Sequence, residues 1–75
     1  MTPESLVANV FGIRLDAVSD ETSNRTLSEW DSLGHITLIL ELEQAYGVSL
    51  SPEEALTLTS VGAIKRTLEG RGIRW

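Results

Sequence analysis

The segment that decides how this chain folds is residues 29–43, which read EWDSLGHITLILELE. It is polar up to Ser32 and then becomes the densest apolar run of the protein. Asp31 is a preferred helix-capping residue, and a helix from Ser32 to Tyr46, closed by Gly47, would be roughly 22 Å long. Its apolar side chains spread over a wider arc than the single stripe of a surface helix. The sequence therefore predicts a central helix that contacts several neighbours and has some apolar surface available to line a cavity.

Three further helices are predicted from their start and stop signals. The first begins at residues 2–4, where a hydroxyl cap precedes a proline and an acid, and it ends at Gly12. A short third helix begins with the capping box of residues 51–54. Ser60 caps a fourth helix, which Gly70 closes. No segment reads convincingly as a β-strand, so the predicted fold class is all-α with four helices.

A long connection, residues 13–30, joins the first two helices. Ser, Asp, Asn and Thr dominate it, and these side chains favour local turns over a helical ladder. Scattered apolar residues interrupt the polar sequence, so we expect an ordered crossover with one short turn near Asp16. Seventy-five residues make at most one domain, so a single domain of residues 1–75 is predicted. Residues 70–75 are expected to be a mobile tail.

The charge is unevenly distributed. Residues 1–64 contain two basic and ten acidic side chains, whereas residues 65–75 contain four basic and one acidic, for a net charge of −5. An acidic body repels phosphate backbones, so we expect no nucleic-acid partner. The acidity indicates protein partners with basic patches, or it serves only to keep the domain soluble.

Composition also bears on compartment. The chain has no cysteine, which excludes disulfides and thiolate metal sites. The first ten residues lack the pattern of a signal peptide, and no segment approaches the roughly 20 apolar residues of a membrane span. These features predict a cytoplasmic protein.

Ser32 and His35 would be neighbours on the central helix, which raises the question of a hydrolytic pair. A nucleophilic serine also needs an orienting acid and an oxyanion hole, and the chain has no G-x-S-x-G elbow. We therefore expect no enzyme. His35 is expected either to be a half-buried packing residue or to line the space near Ser32.

A calcium loop is suggested only superficially by Asp20, Thr22, Asn24 and Asp31. Arg25 occupies the place where such a loop needs glycine, and no closing glutamate follows. With one histidine and no cysteine, only carboxylates remain as possible ligands, and we predict no specific metal site.

Ser32 would be the first residue of the central helix. Free N–H groups and the positive end of the helix dipole stabilise a phosphate at such a position. An exposed hydroxyl there suits a phosphodiester, and the apolar helix behind it could shelter an apolar group attached to that phosphate. The alternative is that Asp31 and Ser32 are only a capping pair.

Taken together, these motifs resemble acyl carrier proteins. The resemblance covers nearly the whole chain and is carried by D-S-L at 31–33 after a long polar loop, L-E-x-x-Y-G at 42–47, P-E-E at 52–54, and S-V-x-x-I-x-x-x-L at 60–68. It implies a small four-helix bundle of the acyl-carrier-protein type, with a long loop between helices 1 and 2 and a short third helix. It also implies a monomeric carrier without enzymatic activity.

The resemblance assigns roles to particular residues. Ser32 would carry 4′-phosphopantetheine, and a thioester on that arm would hold acyl intermediates of fatty-acid-like, polyketide or other specialised biosynthesis. The implied partners are a phosphopantetheinyl transferase, a loading ligase for acyl or aminoacyl groups, and synthase or acyltransferase enzymes. Residues implied in transferase and partner recognition are Asp31, Leu33, Gly34, His35, Ile36, Glu41 and Glu43. Residues implied in packing the core or lining an acyl cavity are Leu33, Ile36, Ile39, Leu40, Leu58 and Val61.

Two departures from the family pattern stand out. Gly34 and Thr37 occupy positions that are usually acidic in carriers of primary fatty-acid synthesis, so the chain looks closer to stand-alone carriers of specialised pathways. Glycine in a helical turn costs about 1 kcal/mol relative to alanine. We expect Gly34 either to clear space beside the arm for a partner's backbone, so that Gly34→Asp would leave the fold intact, or to reflect a tolerant helix end.

The alternatives to an acyl carrier are an aminoacyl or peptidyl carrier of a nonribosomal-peptide-type pathway and a non-carrier acidic helical adaptor.

Overall fold

Four α-helices make up the protein in a computed structural model that describes residues 1–75. They are α1 (Pro3–Phe11), α2 (Ser32–Tyr46), α3 (Pro52–Thr57) and α4 (Val61–Gly70). One 3₁₀ turn, Leu15–Ala17, lies in the long loop between α1 and α2. The chain forms no β-strand, and its only β-type pairing is an isolated bridge. The predicted all-α class with a long first loop and a short third helix is confirmed.

Each helix begins where its capping residue predicts. The side-chain oxygens of Thr2, Asp31, Ser51 and Ser60 each accept a hydrogen bond from the backbone N–H three residues later, at 2.8–3.1 Å. Glycines in the left-handed conformation end α1 and α2, with φ of 65° and 63°. Helix α4 ends one residue later than predicted, because Gly70 is still helical and Arg71 follows it as the cap.

A single apolar cluster forms the core. Its ten residues come from α1, the loop, α2, the α3–α4 turn and α4, and they are Leu6, Val7, Phe11, Trp30, Leu38, Leu42, Leu58, Val61, Ile64 and Leu68. The loop residue Trp30 is only 2% exposed, and its indole stacks on the ring of Phe11 with 5.2 Å between centroids. The sequence analysis did not identify Trp30 as a core residue.

Helix α2 is only partly enclosed by its neighbours. Only Leu38 and Leu42 are fully buried, whereas Leu33, Ile36 and Leu40 are 73%, 57% and 60% exposed. The helix packs most closely on α1. Helix α2 thus contacts its neighbours through one side, and part of its apolar surface stays uncovered. The reason is that α3, with six residues and none of them buried, is too short to cover the rest of α2.

The loop is an ordered crossover, as expected. Its carbonyl oxygens accept hydrogen bonds from the first backbone N–H groups of α4: Val61 donates to Thr22 at 3.0 Å and Gly62 donates to Asp20 at 2.9 Å. The ammonium of Lys65 pairs with the carboxylates of Asp20 and Glu4, and the hydrogen bonds that it donates to them raise the pKa of Lys65. These contacts join the loop and α1 to α4.

The first part of the tail lies against the domain. The backbone N–H of Ile73 donates to the carbonyl oxygen of Leu68 at 2.9 Å, and the side chain of Ile73 packs against the core. The guanidinium of Arg71 donates to both carboxylate oxygens of Glu54 in α3, at 2.6 and 2.7 Å. Residues 71–73 therefore contact the domain in this structure, and the mobility predicted for residues 70–75 stays a prediction.

Candidate functional site

Ser32 is the first residue of α2, and its side chain is exposed. The carboxylate of Asp31 caps the helix by accepting the N–H of Gly34 at 2.8 Å, and the carbonyl of Asp31 accepts the N–H of His35 at 2.8 Å. The backbone N–H groups of Ser32 and Leu33 and the hydroxyl of Ser32 have no hydrogen-bond partner within the chain. An exposed hydroxyl therefore stands beside free N–H groups at the positive end of a 15-residue helix.

His35 is half-buried, and both of its ring nitrogens are engaged. The indole N–H of Trp30 donates to Nδ1 at 3.0 Å, and Nε2 lies 2.7 Å from the carbonyl oxygen of Ala55. Because the carbonyl can only accept, Nε2 carries the hydrogen and the imidazole is neutral in this arrangement. No hydrogen bond joins His35 to Ser32. The imidazole is therefore not placed to act as the general base of a hydrolytic pair.

Two adjoining concavities lie beside Ser32. The first, the Ser32 cleft, has a volume of about 470 Å³ and is lined by the loop, the start of α2 and α3, including Trp30, Ser32, His35, Ile36 and Leu56. The second, the α2–α3 groove, has a volume of about 340 Å³ and an almost wholly carbon-lined surface, formed by His35, Ile36, Ile39, Leu40, Pro52, Ala55 and Leu56. His35, Ile36 and Leu56 line both. A continuous surface thus leads from the Ser32 hydroxyl into an apolar groove.

The structure separates the residues predicted to line an acyl cavity. It places Ile36, Ile39 and Leu40 together in the α2–α3 groove. Leu58 and Val61 lie in the core, at 2% and 0% exposure, and do not line the groove. For these two, a cavity role stays a prediction that would require the core to open.

Leu33 is 73% exposed and lines neither the cleft nor the groove. The groove wall contributed by α3, namely Pro52, Ala55 and Leu56, was missed by the sequence analysis. One signal was available in the sequence, because Leu56 follows a capping box in a short predicted helix. In the structure its side chain is 75% exposed.

Gly34 has a reason within the chain itself. A Cβ at this position would lie 2.6 Å from the carbonyl oxygen of Glu29 and 2.8 Å from a ring carbon of Phe11, both far inside contact distance. The space is filled by the protein's own loop and α1. The expectation that Gly34 leaves room for a partner's backbone, and that Gly34→Asp leaves the fold intact, is therefore corrected. A part for Gly34 in recognition stays a prediction.

The two acids of α2 differ in their surroundings. Glu41 is exposed and forms no ion pair. A carboxylate oxygen of Glu43 accepts the backbone N–H of Leu50 at 2.8 Å, which ties the end of α2 to the connection before α3. The carboxylate of Glu41 is thus available to contact a partner, whereas the carboxylate of Glu43 stabilises the connection between α2 and α3. Their roles in recognition stay predictions.

Comparison with known proteins identifies the family of this chain. A family model described as "Phosphopantetheine attachment site" matches residues 4–68. The chain belongs to this family. It is 38% identical over 58 residues to an acyl carrier protein of Rubrobacter xylanophilus, a match that covers 77% of this chain and 72% of that protein.

A solved structure agrees with the fold. The solution structure of holo acyl carrier protein from Geobacter metallireducens superposes with a TM-score of 0.77 at 28% identity, covering 89% of this chain and 77% of that one. The predicted acyl-carrier-protein fold and family are confirmed. The protein is therefore a carrier and not an enzyme, and phosphopantetheine is its prosthetic group. None of its helices combines the length and the apolar character needed to cross a membrane.

Proposed function

We propose that this carrier protein holds its 4′-phosphopantetheine on Ser32 and delivers apolar acyl groups to biosynthetic enzymes. The observation that carries the proposal is the exposed Ser32 hydroxyl at the start of α2, beside two unpaired N–H groups and at the edge of the Ser32 cleft. These residues fit the group, because a phosphodiester needs an accessible hydroxyl and a site that tolerates negative charge. The N–H groups of Ser32 and Leu33 and the helix dipole provide that tolerance.

The bound arm would supply a terminal thiol, which holds an acyl group as a thioester. The protein's own residues position the attachment site and stabilise the charge of the phosphate. Asp31 holds the first turn of α2 in place through Gly34, and the start of the helix stabilises the phosphate charge. A tethered substrate reaches partner active sites at a high effective concentration without free diffusion.

The α2–α3 groove favours an acyl cargo over an aminoacyl or peptidyl one. No charged side chain lines it, and the one polar side chain there, His35, has both ring nitrogens engaged. An ammonium group placed in the groove would lose water without gaining a partner, whereas an alkyl chain would bury apolar surface. The same absence of a polar wall argues against the peptidyl alternative.

The surface around Ser32 supports docking of partner enzymes. Leu33, Ile36, Leu40 and Leu56 are all more than half exposed, and Glu41 adds an acid beside them. We expect the phosphopantetheinyl transferase, the loading ligase and the synthase or acyltransferase to meet this surface with apolar contacts and basic side chains. Because Gly34 and Thr37 take the place of acids, we favour specialised biosynthesis over primary fatty-acid synthesis as the pathway.

The attachment site is tested by co-expressing the protein with a promiscuous phosphopantetheinyl transferase and measuring its intact mass. We expect the native protein to gain one phosphopantetheine and Ser32→Ala to gain none. Ser28→Ala, which removes another exposed serine from the neighbouring loop, is the matched control and should be modified like the native protein. Modification of Ser32→Ala, or none in the native protein, would overturn the assignment.

The cargo is read by the same method on protein purified from its own cells. We expect added mass that corresponds to a hydrocarbon acyl chain on the arm. An aminoacyl or peptidyl mass would instead support the nonribosomal-peptide alternative.

A further inference from the structure

A chain of two hydrogen bonds connects three elements at His35. The indole N–H of Trp30 donates to Nδ1 of His35, and Nε2–H of His35 donates to the carbonyl oxygen of Ala55. Trp30 belongs to the loop, His35 to α2 and Ala55 to α3. The imidazole also lines both the Ser32 cleft and the α2–α3 groove, so it stands where one opens into the other.

Helix α3 has few other connections to the domain. It has six residues, none of them buried. Only two sets of side-chain hydrogen bonds join it to other elements, the bond from His35 to Ala55 and the bidentate pair of Arg71 with Glu54. The first lies beside the groove, and the second ties α3 to the end of α4. The bond from His35 is therefore the one side-chain hydrogen bond that joins α3 to α2 beside the groove.

We propose that His35 is a positioning residue for the groove. In its neutral form, His35 joins the loop to α3 through these two hydrogen bonds, which we call the clasp, and so sets the width of the passage from the Ser32 cleft into the α2–α3 groove. Protonation of His35 breaks the bond to the loop and keeps the bond to α3. The identification of the groove as a shelter for cargo rests on the proposed function. The clasp itself is a property of the unmodified chain.

The chemistry of the imidazole explains why protonation is selective. Nε2 already carries a hydrogen, so a proton from solvent must bind Nδ1, where it faces the indole N–H of Trp30. Two donors then oppose each other, and a buried indole N–H loses its only acceptor. The bond from Nε2–H to Ala55 is kept and becomes charge-assisted. Protonated His35 thus stays with α3 and separates from the loop.

Few other charges face His35. Asp31 is the only other ionisable side chain in the lining of the cleft or the groove, and its carboxylate already accepts the N–H of Gly34. Helix α3 and the α3–α4 turn contribute only uncharged side chains to these linings. Helix α1 meets the indole of Trp30 with the ring of Phe11. The state of the clasp therefore follows the protonation of His35 itself.

The test follows the indole N–H of Trp30 by ¹⁵N NMR in the unmodified chain of residues 1–75, in a Trp75→Phe background that leaves one indole signal. Hydrogen exchange is measured relative to free tryptophan at each pH between about pH 8 and pH 5, where histidines titrate. At the upper end we expect exchange roughly fivefold slower than in His35→Ala, the factor for a typical hydrogen bond. This protection should be lost in those samples whose ring signals show that Nδ1 of His35 carries a proton.

The matched variant is His35→Gln, whose amide offers both a donor group and an acceptor group but does not titrate in this range. It should keep the protection at both ends of the pH range. The methyl signals of Leu56, which report the passage, should shift with pH in the parent protein and not in His35→Gln. The clasp would be overturned if the indole N–H of Trp30 were equally protected in His35→Ala, or if it stayed protected after the His35 ring is protonated. Leu56 methyl signals that do not change with pH would overturn the effect of the clasp on the groove. None of these readouts requires the prosthetic group, so their failure is distinguishable from failure of attachment at Ser32.

Discussion

At position 34, a single methyl group would have no room. A Cβ at this position would meet the backbone carbonyl of Glu29 and the ring of Phe11, on which Trp30 stacks. This close approach brings the loop against the first turn of α2, directly beside Ser32. The glycine thus lowers helix propensity locally but permits the packing that positions the attachment site.

Substitution of this glycine tests whether the close packing matters. Gly34→Ala should destabilise the fold by about 1–3 kcal/mol, the usual cost of overpacking, even though alanine favours helices. Gly70→Ala is the matched control, because a Cβ added to this helical glycine would have no neighbour within 4 Å and its φ is not positive. It should be neutral or stabilising by up to about 1 kcal/mol. Thermal or urea unfolding measures both, and equal effects of the two variants would contradict a packing role for Gly34.

At the scale of the element, α2 has two apolar faces with different tasks. Leu38 and Leu42 pack into the core with no exposed surface, whereas Ile36 and Leu40, on another side of the helix, are more than half exposed and line the groove. The two sets are interleaved in one apolar run. Their separation arises because α1 covers one face and the short α3 leaves the other open.

Truncation of neighbouring leucines should show how much each face contributes to the free energy of unfolding. Leu38→Ala removes a fully buried side chain, and we expect a loss of about 2–5 kcal/mol in the free energy of unfolding. Leu40→Ala removes a side chain that is 60% exposed and should change stability by no more than about 0.5 kcal/mol. Chemical denaturation checks both values. A large loss in Leu40→Ala would show that the groove face of α2 also contributes to the core.

At the scale of the whole molecule, the basic tail connects distant parts of the chain. Arg71, just after α4, donates to both carboxylate oxygens of Glu54 in α3, and this bond lowers the pKa of Glu54, with a smaller contribution from the backbone N–H of Ser51. Together with the contact of Ile73 with the core, the pair explains why the start of the tail follows the domain surface.

The ion pair makes a pH-dependent contribution to stability. Because the folded-state pKa of Glu54 is lowered, this contribution is present in full above the pKa of an unfolded glutamate, about 4.3, and is lost as the pH falls through the lower folded value. Arg71→Gln should therefore lower the thermal midpoint at neutral pH and have a smaller effect at about pH 3. Arg74→Gln, which removes a tail arginine without an ion pair, should have no effect at either pH. An equal effect of Arg71→Gln at both values would rule out the pair as its cause.

Much of the fold was readable from the sequence because its signals are local. The caps at Thr2, Asp31, Ser51 and Ser60 act within one turn of their helices, so the helix starts followed from residue type and spacing. The carrier family followed from the same local order of motifs around Ser32.

Only the tertiary structure decided which residues surround Ser32. The burial of Trp30, the need for glycine at position 34 and the bonds of His35 to Trp30 and Ala55 all depend on segments that are distant in sequence or joined by an irregular loop. The division of α2 into a core face and a groove face likewise depends on how much of it α3 covers. A periodic apolar pattern shows that a face is apolar, but whether a neighbour covers that face is set by packing across the whole chain.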